Sequence, residues 1–146
     1  AVPWEAHEPT LRSLAAALAG KIVVDCVNPI GVDGRGPHAV AVPEGSAAQQ
    51  AEALLPESRV CAAFHHVSAE LLADPTVDAV DLDVLVLGDD RDAAAVVQAL
   101  ALRVKGMRGV WAGRLRNAGQ VEALTANLIA INKRYKVHAG IRVTDL

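Results

Sequence analysis

The sequence feature that most constrains the fold is an apolar run at residues 21–30, KIVVDCVNPI. It is rich in Val and Ile and stops at an Asn-Pro pair, as a buried strand does where it leaves a sheet. An Ala/Leu-rich segment ending at Gly20 comes before it, which predicts a helix and its glycine stop. Ligands bind α/β sheets at the carboxyl ends of strands, so we expect chemistry near Asn28, Pro29 and Ile30.

Helical and strand-like segments alternate along the whole chain, which predicts an α/β fold with a largely parallel sheet. We predict strands that end at Val2 and at residue 27, and others over residues 59–64, 82–87, 109–112 and, at an edge, 141–143. We predict helices over residues 9–20 with Pro9 in the first turn, 47–55 with Ser46 as cap, part of 70–81, 90–104 with Asp90 or Asp92 as cap, and 115–135. The Gly- and Pro-rich residues 28–45 are predicted to form a long loop.

The last predicted helix carries an apolar stripe at helical spacing, made of Val121, Leu124, Leu128, Ile131 and Tyr135 and widened by Ile129. Such a stripe is typical of a helix that is buried on much of its circumference. We expect its own sheet or a second subunit to cover it.

The charge is unevenly distributed. Residues 1–102 carry 5 Lys/Arg and 15 Asp/Glu, whereas residues 103–146 carry 9 Lys/Arg and 2 Asp/Glu. Either the two parts attract each other, or basic residues help to hold an anionic ligand, namely Arg103, Lys105, Arg108, Arg114 and Arg116. The acidic total and the scarcity of aromatic residues do not favour a nucleic-acid partner.

Cys26 and Cys61 both lie in apolar runs, which favours reduced core thiols in a cytoplasmic protein over a disulfide or a metal pair. No apolar run reaches the ~18 to 20 residues that a membrane helix needs.

His65 and His66 are the most reactive-looking pair. Adjacent residues leaving a strand point to opposite sides, so they do not readily ligate one metal. Two interpretations stay open: a loop histidine bonded to the backbone, or a ligand-facing role for His65. The GxxGxG spacing at residues 31–36 opens no apolar helix and indicates loop glycines. Asp89-Asp90 is better explained as a helix cap than as an acid pair. No residue pattern indicates a catalytic acid, base or metal site.

Five segments together resemble the NADPH-dependent reductases of coenzyme F420: VPWEAH (2–7), KIVVDCVNPIG (21–31), VCAAFHHVSAELL (60–72), LVLGDD (85–90) and AGRLRNAGQVEALTANLIAIN (112–132). The resemblance implies a Rossmann-like dinucleotide-binding sheet with a small C-terminal α/β portion. It also implies homodimers and hydride transfer between coenzyme F420 and NADP, with those two cofactors as the small-molecule partners.

The resemblance also assigns site residues. It places Val2 and Trp4 along the dinucleotide, Asn28, Pro29 and Ile30 beside the nicotinamide with Ala69 near it, His65 and Val67 at the deazaflavin, and Thr125 and Ala139 close to the paired rings. Two positions depart from the family pattern: Ser68 where a member can have proline, and Gly119 near where one can have arginine.

The family's N-terminal glycine-rich phosphate loop has no counterpart in this sequence. We therefore expect only the second half of the dinucleotide-binding sheet, over residues 1–112. Residues 113–146 are expected to add the long helix and an edge strand to the same unit.

Three alternatives remain. A related reductase of a small imine or hydroxyacid would use the same sheet with an added acid or base. A metalloreductase relative with a similar Asn-Pro loop would also fit. From a different class, the chain could be a non-catalytic piece for dimerisation or ligand capping.

Overall fold

The computed structural model describes residues 1–146, with helices and strands alternating along the chain. The strands, numbered in chain order, are β1 Ile22–Asp25, β2 Ile30–Asp33, β3 Gly36–Ala39, β4 Arg59–Ala62, β5 Leu82–Gly88 and β6 Met107–Gly113. The α-helices are α1 Trp4–Leu18, α2 Ala47–Leu54, α3 Ala69–Ala73, α4 Arg91–Ala101 and α5 Ala118–Tyr135, the last preceded by a 3₁₀ turn at Leu115–Asn117.

The main sheet has four strands in the order β1-β4-β5-β6. The β1–β4 and β5–β6 pairs are parallel, and the central β4–β5 pair is antiparallel. The predicted α/β class with a mostly parallel sheet is therefore confirmed. The carboxyl ends of β1 and β4 share one edge of the sheet with the amino ends of β5 and β6.

The beginning of the chain differs from the prediction. Val2 ends no strand, and helix α1 begins at Trp4, five residues before Pro9. Pro9 therefore lies inside the helix, where its missing N–H leaves the carbonyl of Glu5 without its helical partner. The predicted stop is correct, because Gly20 follows the helix with a positive φ of 73°.

Residues 28–45 contain a hairpin, β2–β3, where a loop was predicted. Asp33 pairs with Gly36 across a two-residue turn, and the Arg35 N–H donates to Asp33 Oδ1 at 2.7 Å. The Gly-rich spacing, which indicated loop residues, therefore belongs to a tight hairpin turn. The hairpin packs against helix α5.

Two apolar clusters on the two faces of the sheet form the core. One joins Ala93 and Val97 of α4 to Val84 and Val86 of β5, and the other joins α2 and the start of α5 to the opposite face. Both predicted caps are correct: Ser46 Oγ accepts from the Gln49 N–H, and Asp90 accepts from the N–H groups of Asp92 and Ala93. Asp90 is therefore a helix cap.

Helix α5 is buried on one side only. Of its predicted stripe, Val121 and Leu128 are buried in this chain, whereas four members are exposed: Leu124, Ile129, Ile131 and Tyr135. The chain's own sheet does not cover those four, and their burial by a second subunit stays a prediction.

The predicted edge strand at residues 141–143 is also wrong. The Asp83 N–H donates to Ile141 O at 2.7 Å, but no strand ladder forms there. No helix in the structure combines the length and the apolarity that crossing a membrane would require.

Candidate functional site

Two predicted site residues meet where β1 and β4 leave the sheet. Asn28 Nδ2 donates to the carbonyl oxygen of His65 at 2.8 Å. Thr125 Oγ1, from helix α5, lies 3.3 Å from the same oxygen and 3.3 Å from Asn28 Oδ1. The parallel register of the two strands brings both loops to one edge of the sheet.

A cavity of about 550 Å³ opens beside this contact. The loop after β4, helix α3, the second half of α5 and residues 136–139 form its walls. The cavity's volume is in the range of ligand pockets. Five predicted site residues line it: His65, Val67, Ala69, Thr125 and Ala139.

The imidazole of His65 is a buried polar group without a hydrogen-bond partner. The residue is 4% exposed, and neither ring nitrogen makes a hydrogen bond of good geometry, although the backbone carbonyls of Cys26 and Val27 lie nearby. Burial lowers its pKa to about 4, against smaller opposing effects of the Asp25 carboxylate and the nearby carbonyls of Cys26 and Val27. The ring is therefore neutral at neutral pH, and an unpaired buried group of this kind costs about 1 to 3 kcal/mol.

His66 has a different environment from its neighbour. Its Nε2 donates to the carbonyl oxygen of Asp83 at 2.7 Å. Burial lowers its pKa, although that bond favours the charged form. The interpretation of a loop histidine bonded to the backbone therefore fits His66, whose other ring nitrogen, Nδ1, has no partner.

Asp83 connects three segments around the cavity. Its carboxylate is fully buried and accepts two hydrogen bonds from Arg108, one from Arg142 and one from the Val143 N–H, at 2.6–2.7 Å. The hydrogen bonds from Arg108, partly opposed by burial, lower the pKa of Asp83. Strands β5 and β6 are thereby joined to residues 142–143, which directly follow the cavity wall.

The other predicted site residues lie outside this cavity. Pro29 accepts from the Val40 N–H at 2.8 Å and Ile30 begins strand β2, so both belong to the base of the hairpin. Val2 lines a smaller cavity of about 250 Å³ beside β1, and the Trp4 ring lies 5.4 Å from the ring of His7.

The sequence did not predict a buried polar cluster that lies near this smaller cavity. His7 donates from Nδ1 to Gln50 Oε1 at 2.8 Å and from Nε2 to Asp25 Oδ2 at 2.5 Å. Glu122 of α5 accepts from the N–H groups of Ala47 and Ala48 at the start of α2. These residues are 18 to 75 positions apart in sequence, and no motif relates them.

Three of the five basic residues considered for an anionic ligand pair with acids of the first part of the chain. Lys105 bonds to Asp78, Arg108 to Asp83 and Arg114 to Asp89. This arrangement favours mutual attraction of the two parts over a ligand-binding role for those three residues.

The two departures from the family pattern have local structural explanations. Ser68 caps α3 by accepting from the Leu71 N–H, and its Oγ lies 3.2 Å from His138 Nδ1. At Gly119 an added Cβ would lie 2.6 Å from the carbonyl oxygen of Gly45, so a side chain there would collide with backbone.

Both cysteines are free. Cys61 is buried, and burial raises the pKa of its thiol to about 11. Cys26 is only half-buried, which differs from its predicted core position. No group of three or more His, Cys, Asp or Glu side chains is placed to hold a metal ion.

Comparison with known proteins gives consistent similarities. No model of a protein family matches the sequence. The chain is 37% identical to the F420-dependent NADP reductase of Methanothermobacter marburgensis and 36% identical to that of Methanocaldococcus jannaschii, over 99% of this chain and 66% of each relative. The reductase of Methanothermobacter thermautotrophicus is 39% identical over 99% of this chain and 64% of the relative.

The chain is also similar to a solved structure and, over part of its length, to a metalloreductase. A solved structure from Arthrobacter sp. FB24, provisionally named an F420-dependent NADP reductase, superposes with a TM-score of 0.77 at 27% identity, over 90% of this chain and 61% of that one. The metalloreductase STEAP3 of Rattus norvegicus is 35% identical over 84% of this chain, but only 24% of its own length is matched. Over almost its whole length the chain is thus similar to F420-dependent NADP reductases, and it spans just under two thirds of the length of these curated relatives.

Proposed function

We propose that the protein transfers a hydride between coenzyme F420 and NADP, in either direction. The relatives' names support the reaction. The observation in this chain that supports it best is the neutral, unpaired His65 imidazole at a cavity of about 550 Å³. Both ring nitrogens are buried, so the loop of His65 would have to open for the imidazole to donate to a carbonyl or hydroxyl oxygen of a ligand ring.

The residues of the site fit a flat ring. Val67, Ala69 and Leu128 give the cavity apolar walls, and Ala139 is held beside them because its N–H donates to Asn132 Oδ1 at 2.6 Å. The deazaflavin and the nicotinamide supply the hydride chemistry when bound. The protein's part is to orient the two rings and to exclude water.

Each assigned residue then has a defined task. Asn28 and Thr125 hold the carbonyl of His65 and so fix the loop that faces the deazaflavin. Pro29 and Ile30, at the rigid base of the hairpin, would border the nicotinamide, with Ala69 near it. Val2, which lines the smaller cavity, and Trp4, whose ring lies beside that of His7, would border the dinucleotide.

We also propose that residues 1–112 and 113–146 form one unit, which the bonds from Glu122 of α5 to the start of α2 support. The exposed apolar residues of α5 support a homodimer in which a second subunit covers them. The free thiols are consistent with a cytoplasmic location. Sedimentation of the protein at its natural length tests the dimer.

Spectroscopy tests the reaction. We expect the deazaflavin absorption band to shift when the protein is added, and to disappear when NADPH follows. Reduction of an imine or hydroxyacid substrate without coenzyme F420 would support the related reductases. NADPH-dependent reduction of ferric iron without it would support a metalloreductase. Binding without turnover would support a ligand-capping role.

A further inference from the structure

Two lysines without acidic partners stand at the mouth of the site cavity. Lys133 lies in the last turn of α5, and Lys136 follows the helix in a left-handed conformation with φ 55°. Both line the cavity, and neither ammonium group takes part in a hydrogen bond or an ion pair. They differ in this from Lys105, Arg108 and Arg114, whose charges are matched by carboxylates.

The segment that carries this charge is held in place over the cavity. Asn132 accepts from the Lys136 N–H at 2.8 Å through its carbonyl and from the Ala139 N–H at 2.6 Å through its side chain. The ring of His138 lies 3.2 Å from Ser68 Oγ on the opposite wall. Lys133 and Lys136 therefore place two cationic side chains at the mouth, and the imidazole of His138 lies with them on the same supported segment.

The mouth and the interior of the cavity differ in charge. His65 and His66 are neutral at neutral pH because burial lowers their pKa values. Glu70 is the one acidic residue among those that line the cavity, and its side chain lies 3.8 Å from the ring of His138 at the surface. The carboxyl end of α5 adds a partial negative charge of about half a unit. The charge of Lys133 alone offsets it, so the charge of Lys136 remains.

A cavity with a neutral interior and a positive mouth matches a ligand with a flat ring at one end and anionic groups at the other. Coenzyme F420 has this shape, since its side chain carries a phosphodiester and glutamate carboxylates. We propose that Lys133, Lys136 and His138 form a subsite for the acidic side chain of the deazaflavin, outside the ring site. This inference rests on the proposed function and adds to it the part of the cofactor that the mouth recognises.

A comparison of two ligands tests the subsite. Coenzyme F420 and its ring-and-ribityl precursor, which lacks phosphate and glutamate, are titrated by fluorescence into the protein at its natural length. In the K133E/K136E variant we expect the Kd for coenzyme F420 to rise about tenfold or more, and the Kd for the precursor to change less than twofold. The milder K133Q/K136Q variant should also raise the Kd for coenzyme F420. Added salt should weaken wild-type binding of coenzyme F420 only.

The matched control is Arg134→Glu, a charge reversal on the same exposed turn at a residue that does not line the cavity. It should leave both Kd values within twofold of wild type. Equal loss for both ligands, or no loss for coenzyme F420, would overturn the subsite while the proposed function stands. Wild-type protein that binds neither ligand would overturn the proposed function as well.

Discussion

His7 and Asp25 form a buried ion pair, with Nε2 of the imidazole 2.5 Å from Oδ2 of the carboxylate. Nδ1 of the same ring lies 2.8 Å from Gln50 Oε1, and because both partners are acceptors, the two bonds together favour the doubly protonated ring. Burial alone would lower the pKa of His7, but the bonds to Asp25 and Gln50 raise it above its ordinary value. His7 is also the one buried residue of helix α1, which makes the pair the anchor of that helix.

The raised pKa of His7 predicts a loss of stability on the alkaline side of neutrality. An unfolded histidine titrates near pH 6.5, so the pair's stabilisation is fully present below that pH. It is lost as pH rises towards the higher pKa of the folded state, because in that range the native state keeps a proton that the unfolded state has already released. Between pH 6.5 and 8 the free energy of unfolding should fall, by at most about 1.4 kcal/mol per pH unit.

Denaturant unfolding at several pH values measures this slope. Asp25→Asn should flatten it, because the neutral amide no longer favours the imidazolium. His38→Gln, at an exposed histidine of the hairpin, should leave it unchanged. If the free energy of unfolding of the wild type instead rises between pH 6.5 and 8, the charged state assigned to His7 is contradicted.

The carboxylate of Asp83 predicts a second effect, on the end of the chain. Replacing Asp83 with Ala leaves Arg108 and Arg142 without their shared partner and removes the acceptor of the Val143 N–H. Residues 141–146 should then separate from β5 and β6, and trypsin should cleave after Arg142 several times faster. The control is Asp78→Ala at an exposed pair, where cleavage at Arg142 should not change. Equal rates in both variants would show that Asp83 does not hold this segment.

How far the sequence predicts this fold depends on the range of the signal. The caps at Ser46 and Asp90 were predictable because each acts within three residues of its helix. The β1–β4 pair was predictable because a helix connects two buried runs. The reversed direction of β5 was not, since strand composition carries no sign of direction. Its physical cause is α3, a five-residue helix with no buried residue, which cannot serve as a crossover.

The candidate site shows the same limit. Asn28, His65 and Thr125 were found through motifs, and the structure brings them into contact. The bonds of His7 and Glu122 were not predictable, because their partners are brought together only by the packing of α1, α2 and α5. The hairpin in residues 28–45 was not predictable because its strands are short and contain Gly and Pro.

The half-buried face of α5 predicts unequal costs for two leucines on the same helix. Leu128 is 8% exposed and Leu124 is 37% exposed. Leu128→Ala should lower the free energy of unfolding by about 2 to 5 kcal/mol because it leaves a void in packed surroundings. Leu124→Ala should cost less than about 1 kcal/mol in the monomer. Chemical denaturation measures both, and equal losses would mean that a second subunit covers Leu124.

The unpaired imidazole of His65 predicts a specific kinetic defect. If its role is to donate a hydrogen bond to the ring or side chain of coenzyme F420, it contributes to binding more than to the transition state. His65→Ala should therefore raise the KM for coenzyme F420 more than it lowers kcat, and should leave the KM for NADP near its wild-type value. Steady-state assays with each cofactor varied in turn measure the two effects.

Thr125→Val serves as a comparison, since it removes a bond to the carbonyl of His65 and leaves the imidazole in place. It should shift the same constant in the same direction by a smaller factor. A collapse of kcat by about 1000-fold or more in His65→Ala, with binding unchanged, would instead identify His65 as a proton-transfer residue. The imine or hydroxyacid reductases would then become the better assignment.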